Sequence, residues 1–289
     1  MEHLTLPDGR VLEYLVEGPA TAIPLILHQG TPSGTVRYAP LVDAALAGGF
    51  RFVQASRPGY ATSTPQPGRR VSDVAADTAA LMDALNAPAF VTVGWSGGGP
   101  HALACAALLP GRCRAAATIA SVAPYDAKGL DWLSGMGEEN VQEFGAALAG
   151  AEALEAFLTP AAAGLGDVKP ADLAASLGDL ISEVDRRALA GGLADHLSAS
   201  FRAAVSTGIA GWRDDDLAFV TDWGFRPEDI PAPVSLWQGD QDRMVPFAHG
   251  AWLAEHLPTA EAHLVPGEGH LSLIANFTTI VSDLRRSAG

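Results

Sequence analysis

Short apolar runs recur along the chain, and stretches with apolar positions at helical spacing lie between them. Val11–Val16, after the Asp8-Gly9 turn, predicts an early strand. Pro24-Leu25-Ile26-Leu27, closed by His28-Gln29-Gly30, predicts a buried one. Phe50–Ala55, Phe90–Gly94, Ala115–Ala120, Val234–Gln238 and Ala262–Val265 read the same way. Tyr38–Ala47 is helical in composition and stops at Gly48-Gly49. From Ser72 and Asp73 to Leu85, the residues Val74, Ala75, Thr78, Leu81, Met82 and Leu85 repeat with a period of about 3.6. Pro100–Leu109 and Leu271–Arg285 predict two more helices, and Pro246 starts another at its favoured first position. Strands that alternate with helices imply an α/β, doubly wound, mostly parallel sheet covered on both faces.

One region breaks the alternation. Between about Asp126 and Asp229 no strong strand pattern occurs. Ala, Leu, Glu and Asp dominate Glu138–Leu148, Ala151–Leu158, Ala171–Ile181 and Glu183–Phe201, with Pro160, Pro170, Gly164 and Gly166 as punctuation. Residues 126–228 therefore read as a helical cap inserted into a core made of 1–125 and 229–289. Its aromatic and sulfur side chains, Trp132, Met136, Phe144, Phe157, Phe219 and Trp223, are expected either in plain packing or along a pocket. Its acids, Glu138, Glu139 and the run Asp214-Asp215-Asp216, read as a solvated face.

Composition narrows the classes. A chain of 289 residues can bury a large core, and 48% hydrophobic with 18% charged residues is globular in character. No apolar run reaches the roughly 18 residues of a membrane span. The amino terminus lacks a basic and an apolar region, so no signal peptide is expected, and the location expected is cytoplasmic. A formal charge of −15 argues against nucleic acid and anionic membranes as partners, and the partner expected is a small-molecule substrate. Cys105 and Cys113 are too few for a disulfide framework and read as small buried residues.

The chemistry centres on Gly94-Trp95-Ser96-Gly97-Gly98, a G-x-S-x-G sequence between a strand and a helix. The glycines relieve crowding across a sharp turn, and the helix that follows points N–H groups at any oxygen near Ser96. A serine hydroxyl needs a base, and the base needs orientation. His270 sits in the flexed loop Pro266-Gly267-Glu268-Gly269-His270 after the last strand. Asp242 follows a strand and precedes Val245-Pro246, which suits an acid that orients the imidazole. Asp240 reads as a turn residue, and Asp126 is a remoter choice. The developing oxyanion needs two donors. The N–H of Gly97 is one, and the loop His28-Gln29-Gly30-Thr31-Pro32 offers the N–H of Thr31 as the other. No Cys or His spacing suits a metal, and no cofactor is expected.

With these residues in order, the chain resembles the α/β-hydrolase superfamily. The resemblance rests on Gln29-Gly30-Thr31-Pro32, Arg57-Pro58-Gly59-Tyr60, the segment around Ser96, Asp242-Arg243-Met244-Val245-Pro246 and Gly267-Glu268-Gly269-His270. It implies an eight-stranded sheet and a capped serine hydrolase, carboxylesterase-like. A serine in place of an aspartate nucleophile speaks against the epoxide-hydrolase and haloalkane-dehalogenase branches. The activity implied first is cleavage of carboxylic esters through an acyl-enzyme on Ser96. An aminopeptidase like the proline iminopeptidases is a second reading, and it requires buried cap carboxylates to hold an ammonium group. A non-hydrolytic receptor or lyase on the same fold is a third.

Overall fold

Eight strands form one sheet in the computed structural model, which describes residues 1–289. They are β1 (Glu2–Thr5), β2 (Val11–Glu17), β3 (Pro24–His28), β4 (Arg51–Ala55), β5 (Phe90–Trp95), β6 (Cys113–Ile119), β7 (Val234–Gly239) and β8 (Ala260–Val265). Their spatial order is β1-β2-β4-β3-β5-β6-β7-β8. β2 runs antiparallel to both β1 and β4, and every other pairing is parallel. The pattern of apolar runs misses β1. That strand has four residues, mostly exposed, at the sheet edge, so burial imposes no alternation on it.

The period of two in each strand divides the core. Leu25, Leu27, Val91 and Val93 face one side, where they meet α1 (Ala39–Ala47) and α11 (Phe277–Ala288). Ile26, Phe90, Ala116 and Leu236 face the other. There they meet α2 (Val74–Ala84), α3 (Gly99–Leu108) and α10 (Phe247–His256). β3, β5 and β7 are buried along their whole length, as the continuous apolar runs require. Each fully buried Leu or Phe contributes about 1.5–3 kcal/mol through area removed from water. The final helix begins at Phe277, later than the pattern predicts, because Ser272–Asn276 tightens into a 3-10 turn first.

Between Ile119 and Val234 every regular element is helical. The longer ones are α4 (Glu138–Ala149), α5 (Ala151–Gly166), α8 (Gly192–Val205) and α9 (Ala210–Phe219), with α6 (Leu173–Ser176) and α7 (Glu183–Ala188) between. Two details depart from the sequence reading. Pro160 and the Gly164/Gly166 pair do not break the chain; they lie inside α5. Leu154, Leu158 and Ala162 on that helix are buried in a separate small cluster with Tyr60 and Trp212, and this packing outweighs the lost backbone bond. The acid run also departs. Asp214, Asp215 and Asp216 on α9 are all buried rather than solvated.

The chain leaves β3 toward β4 on one side, then returns to place β5 on the other. Strand order therefore reverses between β3 and β5. A crevice opens outside the carboxyl ends of strands at such a point. The Thr31 loop follows β3 there, and Ser96 follows β5.

Candidate active site

Ser96 is held in a left-handed conformation, with φ of 54°. A non-glycine residue in that region carries backbone strain of order 1–3 kcal/mol. The turn that imposes it is crowded. A Cβ at Gly94 would collide with the Gly98 carbonyl, and a Cβ at Gly98 would collide with the His28 carbonyl. α3 starts at Gly99, so its amino-terminal N–H groups open beside the serine.

His270 lies in the loop between β8 and the 3-10 turn and is 2% exposed. Its Nδ1 sits 2.9 Å and 3.1 Å from Asp242 Oδ2 and Oδ1. Asp242 is fixed in turn. Its Oδ1 accepts from the N–H groups of Met244 (2.9 Å) and Val245 (2.8 Å), and its Oδ2 accepts from Gln238 Nε2 (3.1 Å). A carboxylate filled with donors requires the imidazole to donate from Nδ1, which leaves the Nε2 lone pair free. Burial alone would lower the His270 pKa. The charge and hydrogen bond of Asp242, with Asp185 behind it, outweigh burial and hold it above 6.5.

Ser96 and His270 line one small cavity together with Thr31, Trp95, Met244 and Leu271. No hydrogen bond joins Ser96 Oγ to the imidazole in this structure. Asp240 is exposed and accepts from the Gly267 N–H at 2.8 Å, so it shapes the histidine loop without reaching the ring. Asp126 is exposed in the loop after β6.

Thr31 and Gly97 are neighbours. A Cβ added at Gly97 would lie 2.5 Å from Thr31 Oγ1, and one at Gly30 would lie 3.3 Å from Ser96 Cβ. The Thr31 N–H donates to no backbone carbonyl. Its loop is tied down from beneath by Arg57. Arg57 Nη1 donates to the Gln29 carbonyl (2.5 Å), and Nη2 donates to the Gly30 carbonyl and Thr31 Oγ1 (both 3.0 Å).

Arg57 is itself paired with Asp215, Nη2 to Oδ2 at 2.6 Å. Asp215 is fully buried and gathers five partners. Thr31 Oγ1 and Tyr60 Oη donate at 2.8 Å, Arg69 Nη1 at 2.6 Å and His101 Nε2 at 3.3 Å, in addition to Arg57. Burial would raise the Asp215 pKa, but the two guanidinium charges win and hold it well below 3.8. Burial lowers His101 to about 4, so its ring is neutral at neutral pH and donates from Nε2.

A larger cavity of about 340 Å³ opens over Ser96, Gly97 and Thr31. α4 and α9 contribute Glu143, Phe144, Trp212, Asp216 and Phe219 to its wall. Of the aromatic and sulfur residues named from the sequence, only Phe144 and Phe219 line it. Trp132, Met136 and Trp223 are packed in the core, and Phe157 lies against the small cluster around Leu158.

Sequence reasoning missed Asp185, Arg57, Asp215, Glu143 and Asp216 as site residues. A signal for the last group was present. Trp212, Asp215, Asp216 and Phe219 stand at i, i+3, i+4 and i+7, the spacing of one inward face. The charges obscured it, because a run of acids is usually solvated.

The fold and this constellation define a class, and comparison with known proteins states it. Residues 23–277 match the alpha/beta hydrolase fold, and the chain belongs to that family. It is 32% identical over 280 residues to a pimeloyl-[acyl-carrier protein] methyl ester esterase of Xanthomonas campestris pv. campestris, covering 95% of this chain and 97% of that protein. It is 28% identical over 255 residues to a non-heme chloroperoxidase of Streptomyces lividans, covering 87% and 86%. Among solved structures, an esterase from Rhodococcus shares the fold with a TM-score of 0.71 at 21% identity, covering 100% of this chain and 99% of that one. The enol-lactonase of Burkholderia xenovorans does so with a TM-score of 0.71 at 21% identity, covering 98% and 99%. No helix is long and apolar enough to cross a membrane.

Proposed function

We propose that this chain cleaves carboxylic esters of small to medium organic substrates through an acyl-enzyme on Ser96. The observation that carries the reading is the filled Asp242 carboxylate on His270 Nδ1, beside a serine strained into the turn after β5. A neutral imidazole with its free Nε2 toward the cavity is equipped to take the serine proton. Ser96 Oγ attacks the ester carbonyl, and the proton passes to His270. The Asp242 charge stabilises the imidazolium that results. The N–H groups of Thr31 and Gly97 receive the oxyanion, and His270 returns the proton to the departing alkoxide. Water, deprotonated by His270, then attacks the acyl carbonyl, the bond between Ser96 Oγ and the acyl carbon breaks, and His270 returns the proton to Ser96 Oγ as the acid leaves. A serine and base without a hydrogen bond between them in the free enzyme are compatible with this course, since such contacts tighten when substrate binds.

The helical stretch 126–228 acts as a cap over the core formed by 1–125 and 229–289, and its α4 and α9 residues bound the substrate. The methyl ester esterase relative, named for the same bond class, supports the reading. The test is hydrolysis of p-nitrophenyl esters from acetate to octanoate, with the first turnover resolved. A burst of p-nitrophenolate equal to the enzyme concentration, lost in Ser96→Ala, is the expected result. Turnover that survives Ser96→Ala overturns the assignment.

A further inference from the structure

Two cavities meet at Ser96, and they differ in size and in the groups that each shares with the serine. The larger, of about 340 Å³, is lined by Thr31, Ser96 and Gly97 but not by His270. The smaller, of about 50 Å³, is lined by Thr31, Ser96 and His270 but not by Gly97. Leu177, Phe201 and Met244 stand on the walls of both, so they form the partition between them. Met244 is fixed at its backbone. Its N–H donates to Asp242 Oδ1 at 2.9 Å, and its carbonyl accepts from Asn140 Nδ2 at 3.1 Å.

Proton transfer decides which part of an ester enters which cavity. Under the ester reading the carbonyl oxygen turns to the N–H groups of Thr31 and Gly97. The proton taken from Ser96 passes through His270 to the alkoxy oxygen as the bond between that oxygen and the carbonyl carbon breaks. The alkoxy oxygen must therefore lie on the His270 side, where the small cavity is. A volume of about 50 Å³ is on the order of one or two waters in the liquid, the size of a methoxy or ethoxy group. The acyl chain takes the remaining direction, into the large cavity. No Lys, Arg or His lines that space, so nothing there receives a chain that ends in a carboxylate.

Some wall residues belong to one cavity alone. Leu197 on α8 is buried and lines only the small one. Ala161 and Gly164 on α5 line only the large one. With Pro160 and Leu165 they share one face of that helix, and a Cβ at Gly164 would meet no atom within 4 Å. That wall has room for longer side chains.

We propose that the ester straddles Ser96, with its acyl chain in the large cavity and its alkoxy group in the small one. The substrates are then esters of an uncharged, medium-length acid with an alcohol of roughly one or two carbons. Leu197 limits the alcohol, and Ala161 with Gly164 limits the acid. This rests on the ester reading of the site.

The test compares two isomers, methyl octanoate and heptyl acetate, by acid release in a pH-stat. Alkyl esters are used because p-nitrophenolate leaves without the His270 proton and masks a poor fit on that side. The expected kcat/KM is at least about tenfold higher for methyl octanoate. Gly164→Leu and Ala161→Leu are expected to lower the ratio of methyl octanoate to methyl butyrate at least about tenfold, and to leave the ratio of methyl to hexyl butyrate in place. Leu197→Ala is expected to do the reverse, raising hexyl butyrate against methyl butyrate with the acyl ratio unchanged. Leu197→Phe, which fills the same space, lowers ethyl against methyl butyrate and serves if the truncated protein does not fold. Equal or faster cleavage of heptyl acetate overturns the proposal, as does a change of the acyl ratio by the Leu197 variants. A Ser96-dependent burst with p-nitrophenyl acetate, measured in parallel, separates the two readings. If the burst is present and the isomers are cleaved alike, the partition fails alone. If there is no burst and neither isomer is cleaved, the ester reading falls and the partition falls with it.

Discussion

Asp185 Oδ2 accepts the backbone N–H of His270 at 3.1 Å, so an acid from the helical segment holds the loop that carries the imidazole. Its Oδ1 accepts from the next two N–H groups, those of Leu271 (2.8 Å) and Ser272 (3.0 Å). Three consecutive donors on one buried carboxylate fix the backbone direction of the loop. Asp185 touches no reacting atom under this reading, so it is a positioning residue. Asp185→Asn replaces an acceptor oxygen with donors that face donors. The expected result is a stability loss of about 3 kcal/mol in urea unfolding. A fall of roughly 10–100-fold in kcat, with KM changed far less, is expected alongside. The acid limb of the pH profile is also expected to move down, because the Asp185 charge helps hold His270 protonated. A purely structural role would leave that limb in place.

The Arg57–Asp215 pair joins α9 to the loop that carries Thr31. Removing one partner leaves the other charged and buried, which costs about 3–5 kcal/mol. Asp215→Ala and Arg57→Ala are each expected to destabilise by that amount and to lower kcat, since the Thr31 loop loses its anchor. The double variant is expected to be less impaired than the sum of the two. The native Asp215 carboxyl sits well below 3.8. Its contribution is therefore present above the ordinary carboxylate range and is lost only as pH falls through that low native value. Denaturation midpoints between pH 2 and pH 6 measure it.

The rate should follow the state of His270. Under the proposed mechanism the imidazole must be neutral to accept the Ser96 proton, and Asp242 raises its pKa above 6.5 despite burial. kcat/KM for a p-nitrophenyl ester is expected to rise with pH through a midpoint above 6.5. Asp242→Asn is expected to lower that midpoint and to reduce kcat by an amount on the order of 10⁴. The stability term has the opposite sense. A raised imidazole stabilises the fold fully below the unfolded value, and the contribution disappears as pH rises through the native one.

Strain at Ser96 implies a trade of stability for position. Glycine adopts a φ of 54° without penalty. Ser96→Gly is expected to abolish ester cleavage while raising stability by about 1 kcal/mol, net of the greater freedom of the unfolded chain. Ser96→Ala keeps the Cβ, so it is expected to abolish activity without that gain. Thermal unfolding of the three proteins in one buffer makes the comparison.

Burial, and then the neighbouring Glu143, give Asp216 a pH signature of its own. The native Asp216 carboxyl is held well above 3.8. Its protonated form therefore favours the fold at low pH, and that contribution is lost as pH rises through the native value. An asparagine side chain has no such proton to lose. Asp216→Asn is expected to gain in melting temperature relative to wild type as pH rises from about 4, the unfolded carboxylate range, through the native value. A difference that stays constant from pH 3 to pH 9 would mean that Asp216 titrates no differently in the folded and unfolded protein.

Local pattern carried most of the sheet and the residues beside it. The strands around Leu27, Val93 and Leu236 are read from apolar runs because both of their faces are buried. Ser96 is legible because a strand, a tight turn and a helix leave glycines at fixed offsets. The strand β1 was accessible only through the eight-stranded sheet that the resemblance implies, since Glu2–Thr5 is mostly exposed. The helical segment hid its chemistry for a different reason. Asp185, Asp215 and Asp216 are acids whose partners lie far along the chain, at 270–272, 57 and 143, and only tertiary contact converts a surface residue type into a buried one. Pro160 misled for a related reason, because packing on both sides of it sustains a helix that local propensity would end.

The chemistry proposed for this site depends on Ser96 acting as a nucleophile activated by His270. Labelling with a fluorophosphonate, read by mass spectrometry of the peptide that contains Ser96, tests it most directly. The expected result is one phosphonyl adduct per chain on Ser96, absent in Ser96→Ala and slowed at least about 10³-fold in His270→Ala. Ester turnover with Ser96 left unmodified, or labelling at an unchanged rate without His270, would overturn both roles.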